Sequence, residues 1–174
     1  MQRATFPVGL AGLGTMGLPI ARCLLASGIN LGVWNRSPAP VAILAGEGAR
    51  PADSFETLLH DHEVVLLMLF DEPAADAVLR RDGDRLGIDV ADKLIVQMGT
   101  TALEHSHALQ RAITAGGGRY VEAPISGSRI PAERGELVAM MAGDAADKAR
   151  LGPLFKRFTR TVVDCGEVPQ ALAM

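Results

Sequence analysis

The stretch "VGLAGLGTMGLPIARCLLA", residues 8–26, decides the fold. The apolar run Phe6–Ala11 is typical of a short buried strand. Apolar residues at helical spacing over Met16–Ala26, followed by Ser27-Gly28, predict a helix with a stop signal. Three glycines lie between the strand and the body of the helix: Gly12, Gly14 and Gly17.

Each glycine has a physical task in a loop of this kind. Gly12 allows a sharp turn out of the strand, Gly14 lets a pyrophosphate approach the backbone, and Gly17 lets the helix pack closely on the sheet. The first N–H groups of a helix have no partner inside it, and the helix dipole favours an anion there. The loop, completed by Leu13, Thr15 and Met16, therefore predicts a dinucleotide site, with a purely structural turn as the alternative.

Further strands and helices alternate along the rest of the chain. The predicted strands are Asn30–Trp34, Glu63–Phe70, Lys93–Met98, Arg119–Glu122, Leu137–Ala142 and Thr161–Asp164. The predicted helices are Pro40–Ala45, Ser54–His60, Ala74–Arg81, Leu103–Ala115 and Asp144–Phe158. This alternation predicts an α/β fold with a doubly wound, Rossmann-type, mostly parallel sheet over residues 1–165.

Composition narrows the class of protein. A net charge of −3 spread over 174 residues favours neither nucleic acid nor a membrane surface as partner. The N-terminal segment "MQRATFPVGLAG" has too short an apolar run for a signal peptide or a membrane span, so we expect a cytoplasmic protein. The two cysteines, Cys23 and Cys165, form no CxxC pair, and we expect reduced thiols and no metal site.

The end of the second predicted strand bears on the choice of cofactor. An acidic residue there would bind the ribose 2′-hydroxyl of NAD. The chain has Asn35-Arg36-Ser37 instead, in which Arg36 can pair with a 2′-phosphate while Asn35 and Ser37 donate to it. We therefore predict NADP (NADPH) over NAD, with a solvated Arg36 as the alternative.

Two motifs together resemble the β-hydroxyacid dehydrogenase family, which includes 3-hydroxyisobutyrate dehydrogenases and glyoxylate/succinic semialdehyde reductases. They are Gly9-Leu10-Ala11-Gly12-Leu13-Gly14-Thr15-Met16-Gly17 and Glu122-Ala123-Pro124-Ile125-Ser126-Gly127-Ser128. The resemblance is nearest to the glyoxylate/succinic semialdehyde reductase branch, through Pro131-Ala132-Glu133 and Gly135-Glu136-Leu137. It spans essentially the whole chain.

The resemblance implies an NAD(P)-dependent reductase of small aldehyde or keto acids. It implies that Ser126, Gly127 and Ser128 bind a substrate carboxylate and that Thr100 lies near the nicotinamide ribose, although Gln97 and Gly99 depart from the family pattern. Met68 and Leu69, at the end of the strongest predicted strand, would line the cofactor crevice, or else belong to the core.

The family places its catalytic lysine on a helix that follows the last strand. Residues 166–174 resemble the start of that interdomain helix, so the resemblance implies a lysine just after Met174, no catalytic residue within the chain, and an absent all-helical domain that would make a homo-oligomer. We expect an exposed apolar tail at Ala171–Met174 and solvated side chains at Lys148, Lys156, Arg80 and Arg81. Two alternatives stay open: a non-enzymatic dinucleotide-binding or assembly module, and an imine reductase fragment.

Overall fold

The computed structural model describes residues 6–174. Its strands are β1 (Val8–Ala11), β2 (Leu31–Trp34), β3 (Arg50–Pro51), β4 (Val64–Leu67), β5 (Arg81–Asp82), β6 (Arg85–Leu86), β7 (Leu94–Gln97), β8 (Arg119–Glu122), β9 (Ile125–Ser126), β10 (Leu137–Gly143) and β11 (Thr159–Asp164). Its helices are α1 (Gly17–Ala26), α2 (Pro38–Gly46), α3 (Phe55–Asp61), α4 (Glu72–Leu79), α5 (Leu103–Ala115), α6 (Arg129–Arg134) and α7 (Ala145–Phe155). Residues 1–5, which belong to the N-terminal segment whose apolar run is too short for a signal peptide, lie outside the described residues.

Nine of the described strands form one sheet, in the order β11-β10-β8-β7-β4-β1-β2-β3, with β9 paired to β10. The strands from β3 to β8 along this order are parallel, and β10 runs antiparallel to β8. The predicted doubly wound, mostly parallel sheet is therefore confirmed. Strand order reverses at β1, which pairs with β2 on one side and β4 on the other, and such a switch point opens a crevice at the carboxyl ends of the strands.

Helices cover both faces of the sheet. Along β4, Val64 and Leu66 belong to one apolar cluster, which contains α1 and α7 residues, whereas Val65 and Leu67 belong to the other, which contains α3 and α5 residues. All four side chains are fully buried. This two-sided burial explains why the β4 sequence is continuously apolar.

Strand β4 is shorter than predicted. It ends at Leu67, where its partners end at Ala11 and Gln97, and the chain then bends toward α4. Phe70, which the sequence placed in the strand, is 97% exposed. Several very short elements were not predicted at all, because two to six residues do not establish a hydrophobic period: β3, β5, β6, β9 and α6.

The C-terminal residues lie against the sheet. Residues 167–173 form consecutive turns, in which the N–H of Gln170 donates to Glu167 O at 2.9 Å and that of Leu172 to Pro169 O at 3.1 Å. Ala171 is buried in the cluster with α5, so the expectation of an exposed tail is wrong at this residue. Met174, by contrast, is 79% exposed.

Two of the side chains that we expected to be solvated are instead largely buried and form ion pairs. The Lys148 ammonium contacts the Asp164 carboxylate and donates to Gly166 O at 3.0 Å, tying α7 to the end of β11. The Arg81 guanidinium donates to both carboxylate oxygens of Asp76, at 2.6 and 3.0 Å. The solvated reading was wrong at both positions. The partner of Lys148 comes from the end of another element, β11, whereas Asp76 lies on α4 only five residues before Arg81.

Candidate functional site

The glycine turn between β1 and α1 is crowded at two of its three glycines. Gly12 has φ +96°, and a Cβ there would lie 2.1 Å from the carbonyl oxygen of Met68. A Cβ on Gly17 would lie 1.9 Å from the carbonyl oxygen of Gly12. A Cβ on Gly14 would meet nothing within 4 Å. The turn is thus closed by the backbone of Met68 at Gly12 and by its own backbone at Gly17, and it is open at Gly14.

The N-terminus of α1 has no internal neutralising group. Its N-cap is Met16, which makes no side-chain capping hydrogen bond, and the first turn carries no acidic residue. The partial positive charge of the helix end is therefore available to an external anion.

Asn35 connects the glycine turn to the loop after β2. Its Oδ1 accepts the N–H of Leu13 at 3.0 Å, and its Nδ2 donates to the backbone oxygen and the hydroxyl of Ser37, both at 3.0 Å. The N–H of Gly12 donates to Trp34 O at 3.0 Å. The Asn35 amide holds the two loops together, a positioning contact that sequence reasoning did not anticipate.

A cavity of about 700 Å³ lies beside the glycine turn. Of the residues predicted to bind a cofactor, those lining it are Gly12, Asn35, Arg36, Met68 and Leu69. The other predicted residues do not line it: Leu13, Gly14, Thr15, Met16, Gly17, Ser37 and Thr100. Thr100 is exposed in the loop after β7. The structure therefore gathers the predicted switch-point residues and Arg36 around one space.

Sequence reasoning missed several residues of the cavity wall. The N-terminal part of α3 contributes Asp53, Ser54, Phe55 and Glu56, and the α4 region contributes Asp71, Ala74, Ala77, Val78 and Arg80. Phe55 packs edge-on against Trp34, with ring centroids 5.8 Å apart. These residues belong to elements separated in sequence from the glycine turn, and no local motif marks them.

The predicted substrate loop lies outside this cavity. Ser126, Gly127 and Ser128 are all exposed, between β9 and α6. Gly127 has φ +137°, and a Cβ there would lie 2.6 Å from Leu137 Cδ2. Ser128 begins α6 without a side-chain capping bond, so its hydroxyl is not used by the helix.

A buried carboxylate lies just before that loop. Glu122 is fully buried and accepts the Ser106 hydroxyl at 2.5 Å through Oε2 and the Leu172 N–H at 2.8 Å through Oε1. Ser106 also contacts the Tyr120 hydroxyl at 2.8 Å. Burial raises the pKa of Tyr120, which keeps this phenol protonated. The cluster joins β8, α5 and the C-terminal turns.

A doubly wound sheet with an open glycine turn, an uncapped helix and a switch-point cavity defines a dinucleotide-binding α/β domain. Comparison with known families agrees: residues 7–166 match the NAD binding domain of 6-phosphogluconate dehydrogenase. The chain belongs to this family. Among residues 6–174 no cluster of His, Cys, Asp and Glu could hold a metal ion, and no helix there is long and apolar enough to cross a membrane.

Two curated relatives are plant reductases. The chain is 37% identical over 139 residues to glyoxylate/succinic semialdehyde reductase 1 of Arabidopsis thaliana, covering 80% of the chain and 48% of the relative. It is 32% identical over 174 residues to the chloroplastic reductase 2 of the same plant, covering 99% and 48%. The solved structure of Psf3 in complex with NADP+ and 2-OPP is 30% identical, with a TM-score of 0.87 and coverage of 95% and 59%. The chain spans about half the length of the curated relatives it matches.

Proposed function

We propose that this chain is the NADPH-binding half of a β-hydroxyacid dehydrogenase that interconverts a small aldehyde or keto acid and its hydroxy acid. The observation that carries the proposal is the open backbone at Gly14 beside an uncapped α1, in a glycine turn whose first glycine, Gly12, lines a cavity of about 700 Å³. The glyoxylate/succinic semialdehyde reductases among its relatives support the substrate class. When bound, the nicotinamide cofactor supplies the hydride.

The residues of the chain fit the three parts of such a cofactor. The backbone N–H groups from Leu13 to Gly17 would face the pyrophosphate, because Gly14 leaves that side open. Met68 and Leu69 line the cavity at the end of β4 and would contact the dinucleotide where it crosses the switch point. Thr100 would lie on the nicotinamide side, beyond the described cavity.

Arg36 supports a preference for NADPH. Arg36 lines the cavity and directly follows Asn35, which is bonded to the glycine turn, so its guanidinium would meet the adenosine ribose there. A bidentate guanidinium–phosphate pair is a strong, charge-assisted contact that NADH cannot form. Asp53 and Glu56 line the same cavity, so Arg36 acts against local negative charge that the sequence near β2 did not reveal.

The exposed Ser126–Ser128 turn would take the substrate carboxylate. Gly127 in the left-handed region exposes backbone N–H groups beside two hydroxyls, a nest that suits an anion. The proton donor for the substrate oxygen, a lysine in the resemblance, would come from the helical half that follows residue 174, which would also form the homo-oligomer. We propose a cytoplasmic enzyme with no nucleic acid or membrane partner.

Fluorescence titration with NADPH and NADH tests the proposal. We expect the wild-type chain to bind NADPH more tightly than NADH. Arg36→Ala should weaken NADPH by about 1.5–3 kcal/mol and leave NADH nearly unchanged. Arg160→Ala, on the exposed edge strand β11, is the matched control. Equal weakening of both nucleotides would contradict the assignment of Arg36.

Turnover separates the enzyme from the alternatives. We expect no significant rate from the 174-residue chain with glyoxylate or succinic semialdehyde, and a restored rate when the helical half is present. Binding without turnover in the longer protein would favour the non-enzymatic module. Reduction of a cyclic imine instead of the aldehyde acids would favour the imine reductase reading.

A further inference from the structure

Arg80 adopts a backbone conformation that glycine would adopt more readily. It follows the last residue of α4 with φ 48° and ψ 47°, in the left-handed region. Helices commonly end with glycine in this conformation, since a Cβ is disfavoured there. The conformation is enforced by the following hairpin, in which the Gly87 N–H donates to Arg80 O at 2.9 Å. A strained arginine where glycine would suffice calls for a functional explanation.

The Arg80 side chain shares the cavity with Arg36. It extends the cavity-facing side of α4, which otherwise presents Ala74, Ala77 and Val78. Its Nη1 lies 2.8 Å from Glu56 Oε1, in an ion pair whose two side chains are both at least half exposed. Pairs this exposed contribute little to stability, so the Glu56 contact does not account for the arginine.

The charges around the cavity indicate what Arg80 does. Three carboxylates line it, on Asp53, Glu56 and Asp71, against the two guanidiniums of Arg36 and Arg80. A phosphate monoester carries nearly two negative charges at neutral pH. With Arg36 alone, the carboxylates would repel a phosphate group from the cavity. A second guanidinium, which can leave Glu56 and bind the phosphate instead, offsets their negative charge.

We propose that Arg80 is a second specificity-determining residue, which contacts the 2′-phosphate of NADPH and is held by Glu56 when the cavity is empty. This inference rests on the proposed function. Arg80 and Arg36 approach the phosphate from different elements, α4 and the loop after β2. Glu56 competes with the phosphate for Arg80 and so lowers the affinity for NADPH.

Three variants test this, by titration with NADPH and NADH at low salt. Arg80→Gly relieves the backbone strain and should fold, and it should weaken NADPH about tenfold while changing NADH less than twofold. Arg80→Lys keeps the charge without the planar fork and should lose less. Glu56→Gln should tighten NADPH several-fold, because Arg80 then has no competing carboxylate.

The outcomes distinguish a failure of the Arg80 inference from a failure of the proposed function. If Arg36→Ala weakens NADPH but Arg80→Gly and Glu56→Gln leave it unchanged, the Arg80 inference fails and the proposed function stands. If Arg80→Gly weakens both nucleotides equally, Arg80 shapes the cavity and does not contact the phosphate, which also overturns the inference. If the wild-type chain binds neither nucleotide, the proposed function fails, and the Arg80 inference with it.

Discussion

Gly17 lies directly against Gly12: a Cβ on Gly17 would be 1.9 Å from the Gly12 carbonyl oxygen, and Gly12 in turn presses on the carbonyl of Met68. Both contacts are with backbone, which cannot move aside as a flexible side chain can. The start of α1, the glycine turn and the end of β4 are therefore packed as one unit. Gly14 stands apart, with open space where its side chain would be.

From this difference we predict that Gly17 has a structural role and that Gly14 leaves room for a ligand. Gly17→Ala should lower the free energy of unfolding by about 3 kcal/mol or more, because overpacking against backbone forces the helix away from the sheet. Gly14→Ala should leave that free energy nearly unchanged and still abolish measurable NADPH binding. Urea unfolding and nucleotide titration of both variants check this. Retained NADPH binding in Gly14→Ala would show that no pyrophosphate approaches there.

Helix α5 and strand β8 have their predicted bounds. The amphipathic pattern of α5 runs over 13 residues, and the three glycines at 116–118 mark both the end of the helix and the start of the short strand. Strand β4 was overextended because Met68, Leu69 and Phe70 continue its apolar run after the neighbouring strands have ended. Hydrophobicity marked the strand, but only its partners could determine where it stops.

A second prediction concerns how Asn35 positions the glycine turn. Asn35→Ala removes the acceptor for the Leu13 N–H and both bonds to Ser37, each worth about 1 kcal/mol. We expect a stability loss of about 3 kcal/mol or somewhat less, and weaker binding of NADPH and NADH alike, since the glycine turn would serve both. Ser37→Ala, which keeps the Leu13 contact, is the control for stability and should lower the free energy of unfolding much less. A loss confined to NADPH would instead make Asn35 a direct phosphate ligand.

Most of the cavity wall, eleven of its sixteen residues, could not be predicted from the sequence. The glycine turn and Arg36 stand within a local motif, whereas Asp53, Glu56 and Arg80 reach the site only through the packing of α3 and α4 beside the switch point. The same cause explains the error at Lys148, whose partner Asp164 lies at the end of β11. It does not explain the error at Arg81, because Asp76 lies only five residues earlier. Charge balance at a site depends on tertiary contacts that a linear pattern does not contain.

Glu122 supports a third prediction, on the C-terminal turns over residues 167–173. Glu122→Ala leaves Ser106 without its buried carboxylate partner and the Leu172 N–H without an acceptor, and should cost about 3 kcal/mol. Amide hydrogen exchange should rise sharply over residues 167–173, because their tie to β8 is lost. Glu122→Gln keeps an oxygen acceptor and should show a smaller effect. Unchanged exchange over these residues in the alanine variant would contradict the anchoring role.

Asp76 leads to a prediction on pH. Burial raises the pKa of Asp76, but hydrogen bonds from Arg81 and His105 outweigh burial and hold the pKa below its ordinary value of 3.8. The unfolded chain therefore binds a proton at Asp76 before the folded chain does. The stabilisation is fully present above about pH 4 and is lost as the pH falls through the lower, folded pKa. Acid should unfold the wild-type protein partly through this group.

Asp76→Asn tests that expectation through the difference in free energy of unfolding between the variant and the wild-type protein. At pH 7 the variant should be about 2 kcal/mol less stable, because the buried His105 ring and Arg81 lose a charged partner. Between pH 5 and pH 2.5 the gap should shrink, since the wild-type protein loses what the variant already lacks. Urea unfolding at stepped pH measures it, with Asp84→Asn, which removes an exposed partner of Arg111, as the matched control. A gap that stays constant down to pH 2.5 would assign the whole effect to packing and none to the Asp76 charge.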